Sequence, residues 1–145
     1  MRVADICTRL LDGIAVAGLY LALLEMLFRL RTENKRWRTY APMLISENMW
    51  RAQRYGVEGS LMDFGRGELV EFRDLVEELL VLTEVDARRL GITEEVSHIR
   101  TIAKEGTSAR RQLDVYHRAL EEGASSREAL EKVVDHLIVD TTTGL

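Results

Sequence analysis

The chain has 145 residues, 46% of them apolar, 30% charged and 6% aromatic, which is enough for one domain with a buried core over residues 1–145. A single cysteine and a single proline exclude a disulfide scaffold, a zinc ribbon and a proline-rich chain, and fit a reducing, cytoplasmic compartment. With 24 acidic against 20 basic side chains the net charge is −4, too acidic for a protein that coats nucleic acid, so any anion site must be local.

Residues 1–10 open the chain with Arg2 to Thr8, a loosely alternating segment that reads as one strand of an incomplete sheet and needs partners from elsewhere. Residues 11–56 read as two helices joined by a basic, aromatic linker. From Leu11 to about Thr32 apolar residues run almost all the way round, a pattern that demands cover on every side. Its longest uncharged stretch, Gly13 to Leu24, has 12 residues where a bilayer span needs about 20, so a core helix is expected and no membrane. Glu25 and Arg29 stand four apart in the order that suits an ion pair, and Gly18 would let a neighbour approach closely. After Asn34 to Ala41, Pro42 opens a second helix that Gly56 would stop.

Between residues 57 and 72 the helical period is lost, and Leu61–Phe64 and Glu68–Phe72 flank Gly65-Arg66-Gly67 as a β-hairpin. Residues 73–140 read as a helical bundle. Its first helix carries Phe72, Leu75, Val76, Leu79 and Leu80 on one face, bends or frays near Thr83 and stops at Gly91. A single helix capped by Thr93 then carries Val96, Ile99 and Ala103 to Gly106. Thr107 or Ser108 caps a helix whose buried line is Ala109, Leu113, Tyr116 and Leu120. Ser125 with Glu128 has capping-box spacing before the apolar stripe Ala129, Leu130, Val133, Val134, Leu137 and Ile138, and Thr141 to Leu145 would form a loose tail. The fold class is mainly α, with one N-terminal strand and a short hairpin.

Charge is unevenly placed. Seven Lys/Arg residues (Arg29, Arg31, Lys35, Arg36, Arg38, Arg51, Arg54) stand against Glu33 and Glu47 in one segment that also holds Trp37, Trp50, Tyr40 and Tyr55. Guanidinium groups grip phosphate or carboxylate in pairs, and planar rings stack on a base or sugar. Asn48, Arg51 and Tyr55 share one helical stripe, as do Glu47, Arg51 and Arg54, so an amide and two cations could converge on one anion. The plain alternative is a solvated basic face with packed aromatics.

Other constellations carry less. Glu95 with His98 and Asp114 with His117 have the three-residue spacing of carboxylate-bridged di-metal bundles, but further inward carboxylates are lacking, so neither a metal site nor a catalytic residue is assigned. His136 is expected to touch solvent or cap a carbonyl, and Cys7 reads as a small buried residue more readily than as a nucleophile. Two non-enzymatic readings stay open, a helical interaction module and a small nucleotide- or RNA-binding module, although nucleic acid suits the net charge poorly.

Several strings together resemble a known family. Ala4-Asp5-Ile6-Cys7-Thr8-Arg9-Leu10, Glu47-Asn48-x-Trp50-Arg51-Ala52-x-Arg54-Tyr55-Gly56, Leu61-x-Asp63-Phe64-Gly65, Arg73-Asp74-Leu75, Gly106-Thr107-Ser108-Ala109-x-Arg111-Gln112-Leu113 and Val133-Val134-Asp135-His136-Leu137-Ile138 are similar, in this order, to the C-terminal portion of the glutamate–cysteine ligase type 2 family. That family comprises bacterial ATP-dependent carboxylate–amine ligases of the glutamine-synthetase-like α+β fold. The resemblance implies that ATP, assisted by Mg2+, phosphorylates a glutamate-like carboxylate, and that an amine substrate then displaces the phosphate to give an amide. It gives Arg51 and Arg54 the task of neutralising phosphate or carboxylate, Asn48 and Tyr55 that of orienting the ligand, and Arg9 a place facing the same cleft. Leu11 and Arg110 depart from the family pattern, where acidic residues are expected. The family's longer N-terminal region supplies most of the sheet and the acidic metal ligands. The chain is therefore expected to be inactive alone, as a fragment or a complementing segment that either forms a homodimer, pairing its N-terminal strands, or binds the missing N-terminal partner.

Overall fold

The computed structural model describes residues 7–143. Seven helices and one hairpin follow in chain order: α1 (Leu10–Thr32), α2 (Pro42–Tyr55), a 3-10 turn (Gly56–Glu58), β1 (Ser60–Asp63), β2 (Glu68–Glu71), α3 (Phe72–Leu90), α4 (Thr93–Ser97), α5 (Ile99–Glu105), α6 (Ser108–Glu121) and α7 (Ser126–Thr142). The architecture is thus mainly α with a two-stranded antiparallel hairpin. The strand expected over Arg2–Thr8 lies almost wholly outside the described residues. So does any dimer that would pair it.

The centre of the molecule is α1 against α3, α4 and α5. Small residues make this possible: Ala15, Gly18 and Ala22 form a buried seam that meets Val76, Leu80, Ala87, Val96, Ile99 and Ala103. Gly18 has the expected role, since a Cβ there would touch Val96 at 3.5 Å and Glu95 at 3.6 Å. Charge pins both ends of the helix. Near the start, Asp12 is buried and meets His98 Nε2 at 2.9 Å. Near the end, Arg29 donates Nε and Nη2 to the two oxygens of Asp86, each at 2.8 Å. The expected Glu25–Arg29 pair is therefore replaced by long-range ones, because Asp86 is fully buried and takes the arginine while Glu25 turns to Arg89.

By length and composition α1 is able to cross a membrane, and only 28% of its most apolar window is buried in the structure, less than the all-round cover expected of a core helix.

Further expectations need correction. Helix α3 does not fray at Thr83: it runs unbroken from Phe72 to Leu90, and the buried Thr83 hydroxyl donates to the Leu79 carbonyl at 2.9 Å. The helix expected from Thr93 to Gly106 is two helices, α4 and α5. Thr93 is its first helical residue, not its cap; Ser97 Oγ donates to the Glu94 carbonyl, and the chain turns at His98, whose ring is held by Asp12. The apolar lines of α6 and α7 are not core. Ala119 and Ala129 are buried there, while Leu113, Leu120, Leu130, Val134 and Ile138 are exposed. The two helices pack on each other as an arm, with Thr107 accepting from the Arg110 amide and the Ser125–Glu128 capping box formed as expected. Helix α7 runs to Thr142, into the segment expected to be a loose tail.

The Arg29 hydrogen bonds outweigh the cost of burial and hold the Asp86 carboxyl below the usual aspartate range. A group whose pKa is lowered by folding stabilises the native state above its unfolded value, about 3.9, and that stability is lost as pH falls from there through the folded value. Urea midpoints followed from pH 6 downward should therefore drop below about pH 4. In Asp86→Asn the midpoint should start lower at pH 6 and fall less steeply; an unchanged slope would show that the pair contributes nothing.

Candidate functional site

Two polar assemblies arise from the fold. The first joins α2 to the hairpin. Pro42 at the first turn starts α2, and Gly56, at φ 57° and ψ −137°, ends it in a conformation suited to glycine. Asn48 spends its side-chain amide on the backbone of β1: Nδ2 donates to the Met62 carbonyl at 2.9 Å, and Oδ1 accepts the Met62 amide at 2.7 Å. One turn on, Arg51 Nε donates to Glu47 at 2.9 Å, and Nη1 reaches the Ser60 carbonyl at 3.5 Å. Tyr55 is exposed, lies edge-on to Trp50 at 5.8 Å, and closely borders Gly59, where a Cβ would fall 2.6 Å from Tyr55 Cβ. Tyr40 stacks at an angle on Phe64 with centroids 4.8 Å apart, which ties the basic linker to the hairpin turn. That turn is closed by Asp63, whose Oδ1 accepts the Gly65 and Arg66 amides, and by Gly67 at φ 74°.

The predicted stripe thus exists, but its inner members face the β1 backbone. Arg54 stands differently. It is exposed and its side chain has no hydrogen bond or ion pair among the described residues, and the same holds for the side chains of Arg36 and Arg38 in the linker. These three guanidinium groups thus have no internal counter-charge among the described residues.

The second assembly is an ionic hub where the α6–α7 arm meets the body. Arg9 Nε donates to Asp140 Oδ1 at 2.6 Å, and its Nη1 to Glu105 Oε2 at 2.6 Å. Thr8 donates to Asp140 Oδ2 at 2.9 Å and meets the Ser108 hydroxyl at 2.8 Å. Arg111 completes it: Nη1 donates to the Gly106 carbonyl at 3.0 Å, and Nη2 lies 3.3 Å from Asp140 and 3.4 Å from Asp12. Burial pushes the Asp140 carboxyl up, but the bonds from Arg9 and Thr8 and the charges of Arg111 and Arg9 more than offset this and leave it below its ordinary value. Arg9 is thus bonded to α5 and α7, and no hydrogen bond or ion pair links it to the α2–hairpin assembly among the described residues.

Sequence reasoning did not anticipate this hub. The available signal was an acidic residue inside an apolar run: Asp12 in the first turn of α1, and Asp140 straight after Leu137-Ile138-Val139. His98 pairs with Asp12 and not with Glu95, and no metal-holding cluster of His, Cys, Asp and Glu occurs among the described residues. His136 is half-buried on α7 and so keeps part of its ring toward solvent, as expected, while its Nε2 is enclosed and caps no carbonyl among the described residues. Cys7 is half-buried beside Gly13.

Asn48→Ala removes both bonds to Met62, so deuterium exchange at the Met62 amide should accelerate strongly while α3 amides keep their protection; equal protection in the variant would refute the tie. Asp140→Ala leaves Arg9 and Arg111 facing each other around a site where Asp140 is 3% exposed, and should destabilise the chain by about 3 kcal/mol in urea unfolding. A loss well under about 1 kcal/mol would place the hub among ordinary surface pairs.

Comparison with known proteins agrees with the sequence strings. The description of Glutamate-cysteine ligase family 2 matches residues 1–136. The protein named "Putative glutamate--cysteine ligase 2" in Rhodospirillum rubrum is 57% identical over 145 residues, covering 100% of this chain and 37% of that protein. One of the same name in Jannaschia is 47% identical over 139 residues, 96% of this chain and 36% of the relative. The chain therefore spans a little over a third of the length of the curated relatives it matches. No solved structure matches it. The sequence strings and these matches together place the chain in glutamate–cysteine ligase family 2.

Proposed function

We propose that this chain supplies part of the ligand-binding wall of an ATP-dependent carboxylate–amine ligase, in which Mg2+ and ATP convert a glutamate-like carboxylate to an acyl phosphate that an amine substrate then attacks. The observation that carries the reading is family membership across residues 1–136, with relatives that bear the ligase name. The α2–hairpin assembly fits that role by its chemistry. The side chains of Arg54, Arg36 and Arg38 have no internal partner among the described residues, and Tyr55 and Trp50 offer exposed ring surface on the helix that carries Arg54. Phosphate and carboxylate are gripped by such groups. Asn48 and Arg51 hold the platform to β1, and Arg51 retains unused donors toward a ligand. Arg9 serves the site at a distance, by fixing the start of α1 to α5 and α7.

A phosphoryl-transfer site also requires acidic groups to hold Mg2+. The described residues present no such cluster, so those groups would come from the rest of the family polypeptide, and the chain would not turn over alone. A cytoplasmic location fits the chemistry. Asp12, Glu25 and Arg29 pair with Arg111, Arg89 and Asp86 of other helices, partners that would have to be abandoned or dragged into lipid if α1 crossed a bilayer.

Combining the chain with the remaining portion of the Rhodospirillum rubrum relative should give glutamate- and amine-dependent ADP release. Arg54→Ala should weaken apparent ATP or glutamate affinity by about tenfold, the scale of one lost charge-assisted hydrogen bond. ADP release by the chain alone, or full activity in Arg54→Ala, would overturn the corresponding claim.

A further inference from the structure

Helix α1 carries a second apolar seam. Leu10, Ile14, Ala17, Leu21, Leu24 and Phe28 are spaced 4, 3, 4, 3 and 4 residues apart, the pattern of a continuous packing ridge, and every one of them is exposed. The ridge lies about a third of a turn round the helix from the buried Ala15–Gly18–Ala22 seam. Leu21 is 52% and Phe28 61% exposed. Beside them a cavity of ≈ 470 Å³ opens between α1 and the end of α3, bounded by Leu90 and Ile92.

The exposed area says how large the missing cover is. The chain presents 10348 Å² to solvent, whereas a compact monomer of 16.6 kDa exposes about 7,600 Å². The excess far exceeds the roughly 800 Å² that each partner buries in an interface of standard size, so pairing two α1 ridges would cover only a fraction of it. The family polypeptide, by contrast, has most of its length outside these 145 residues, since the chain covers 37% of the Rhodospirillum rubrum relative.

We infer that the Leu10–Phe28 ridge of α1 is the seat on which the remaining portion of the glutamate–cysteine ligase 2 polypeptide docks. The inference rests on family membership and not on the proposed reaction. Its test is accordingly a binding measurement without nucleotide.

The tagged chain is co-expressed with the portion of the Rhodospirillum rubrum relative outside the aligned segment, and the complex is isolated and sized. A stable one-to-one complex is expected. Leu21→Glu and Phe28→Glu should each weaken it by at least about tenfold, because each buries an unpaired charge, while circular dichroism and the urea midpoint of the chain stay unchanged, as both side chains are exposed. Ile138→Glu on α7 and Met43→Glu on α2 should leave association intact. Absence of a complex, normal binding by both ridge variants, or loss of binding confined to Ile138→Glu would overturn the assignment. So would a homodimer of the chain alone that Leu21→Glu dissolves, or binding of the chain through the ridge to phosphatidylcholine vesicles in place of the protein partner.

Discussion

Helix α1 is apolar on nearly every side and yet carries Asp12 and Arg29, and the rest of the molecule is arranged to satisfy those two demands together. Small side chains at Ala15, Gly18 and Ala22 let α3 and α4 come close, so the core is built from short contacts and not from large interlocked residues. Such a seam fixes separation well but register poorly, since alanine and glycine offer few knobs to catch in a neighbour's grooves. Register comes from charge. The two-bonded Arg29–Asp86 pair at one end and Asp12 with His98 and Arg111 at the other define how far α1 slides along its partners. Burying these carboxylates is costly, and the guanidinium partners return that cost only in the correct geometry, which makes the pairs selective.

The α6–α7 arm follows from the same device. Its two helices pack on each other, and the arm joins the body through Arg9, Thr8, Asp12, Arg111, Ser108 and Asp140. An ionic joint does not require apolar surface on both sides. The leucines and valines of α7 are consequently free to point outward, and Ile138 remains 66% exposed although its helix is well capped.

This explains which features could be read from the sequence. Helix limits at Pro42, Gly56, Gly91, Thr107 and Ser125, and the hairpin about Gly65–Gly67, depend on groups within a few residues of one another, and all appear in the structure. The Arg29–Asp86, Asp12–His98 and Asp12–Arg111 pairs span 57, 86 and 99 residues, beyond any spacing rule. Periodicity also identified apolar stripes without saying which are covered here: the stripe of α3 is core at Val76 and Leu80, whereas the cleaner stripe of α7 faces outward. Amphipathic pattern records what a helix is prepared to bury, and for α1 and α7 much of that burial lies beyond the described contacts.

The same distinction separates two arginines that look equivalent on paper. Arg51 and Arg54 lie three apart on α2, yet folding gives the first to Glu47 and the Ser60 carbonyl and leaves the second exposed. A site that grips an anion needs both kinds of residue. Cations already paired cannot answer a new charge at full strength, while cations on a loose support lose their advantage to the entropy of holding them still. Asn48 bonded on both sides to Met62, Gly59 pressed against Tyr55 and Tyr40 on Phe64 make the support stiff at three separate points. Within the ten residues Glu47–Gly56, the inward Asn48 and Arg51 bond to β1, while the side chain of the outward Arg54 has no partner among the described residues.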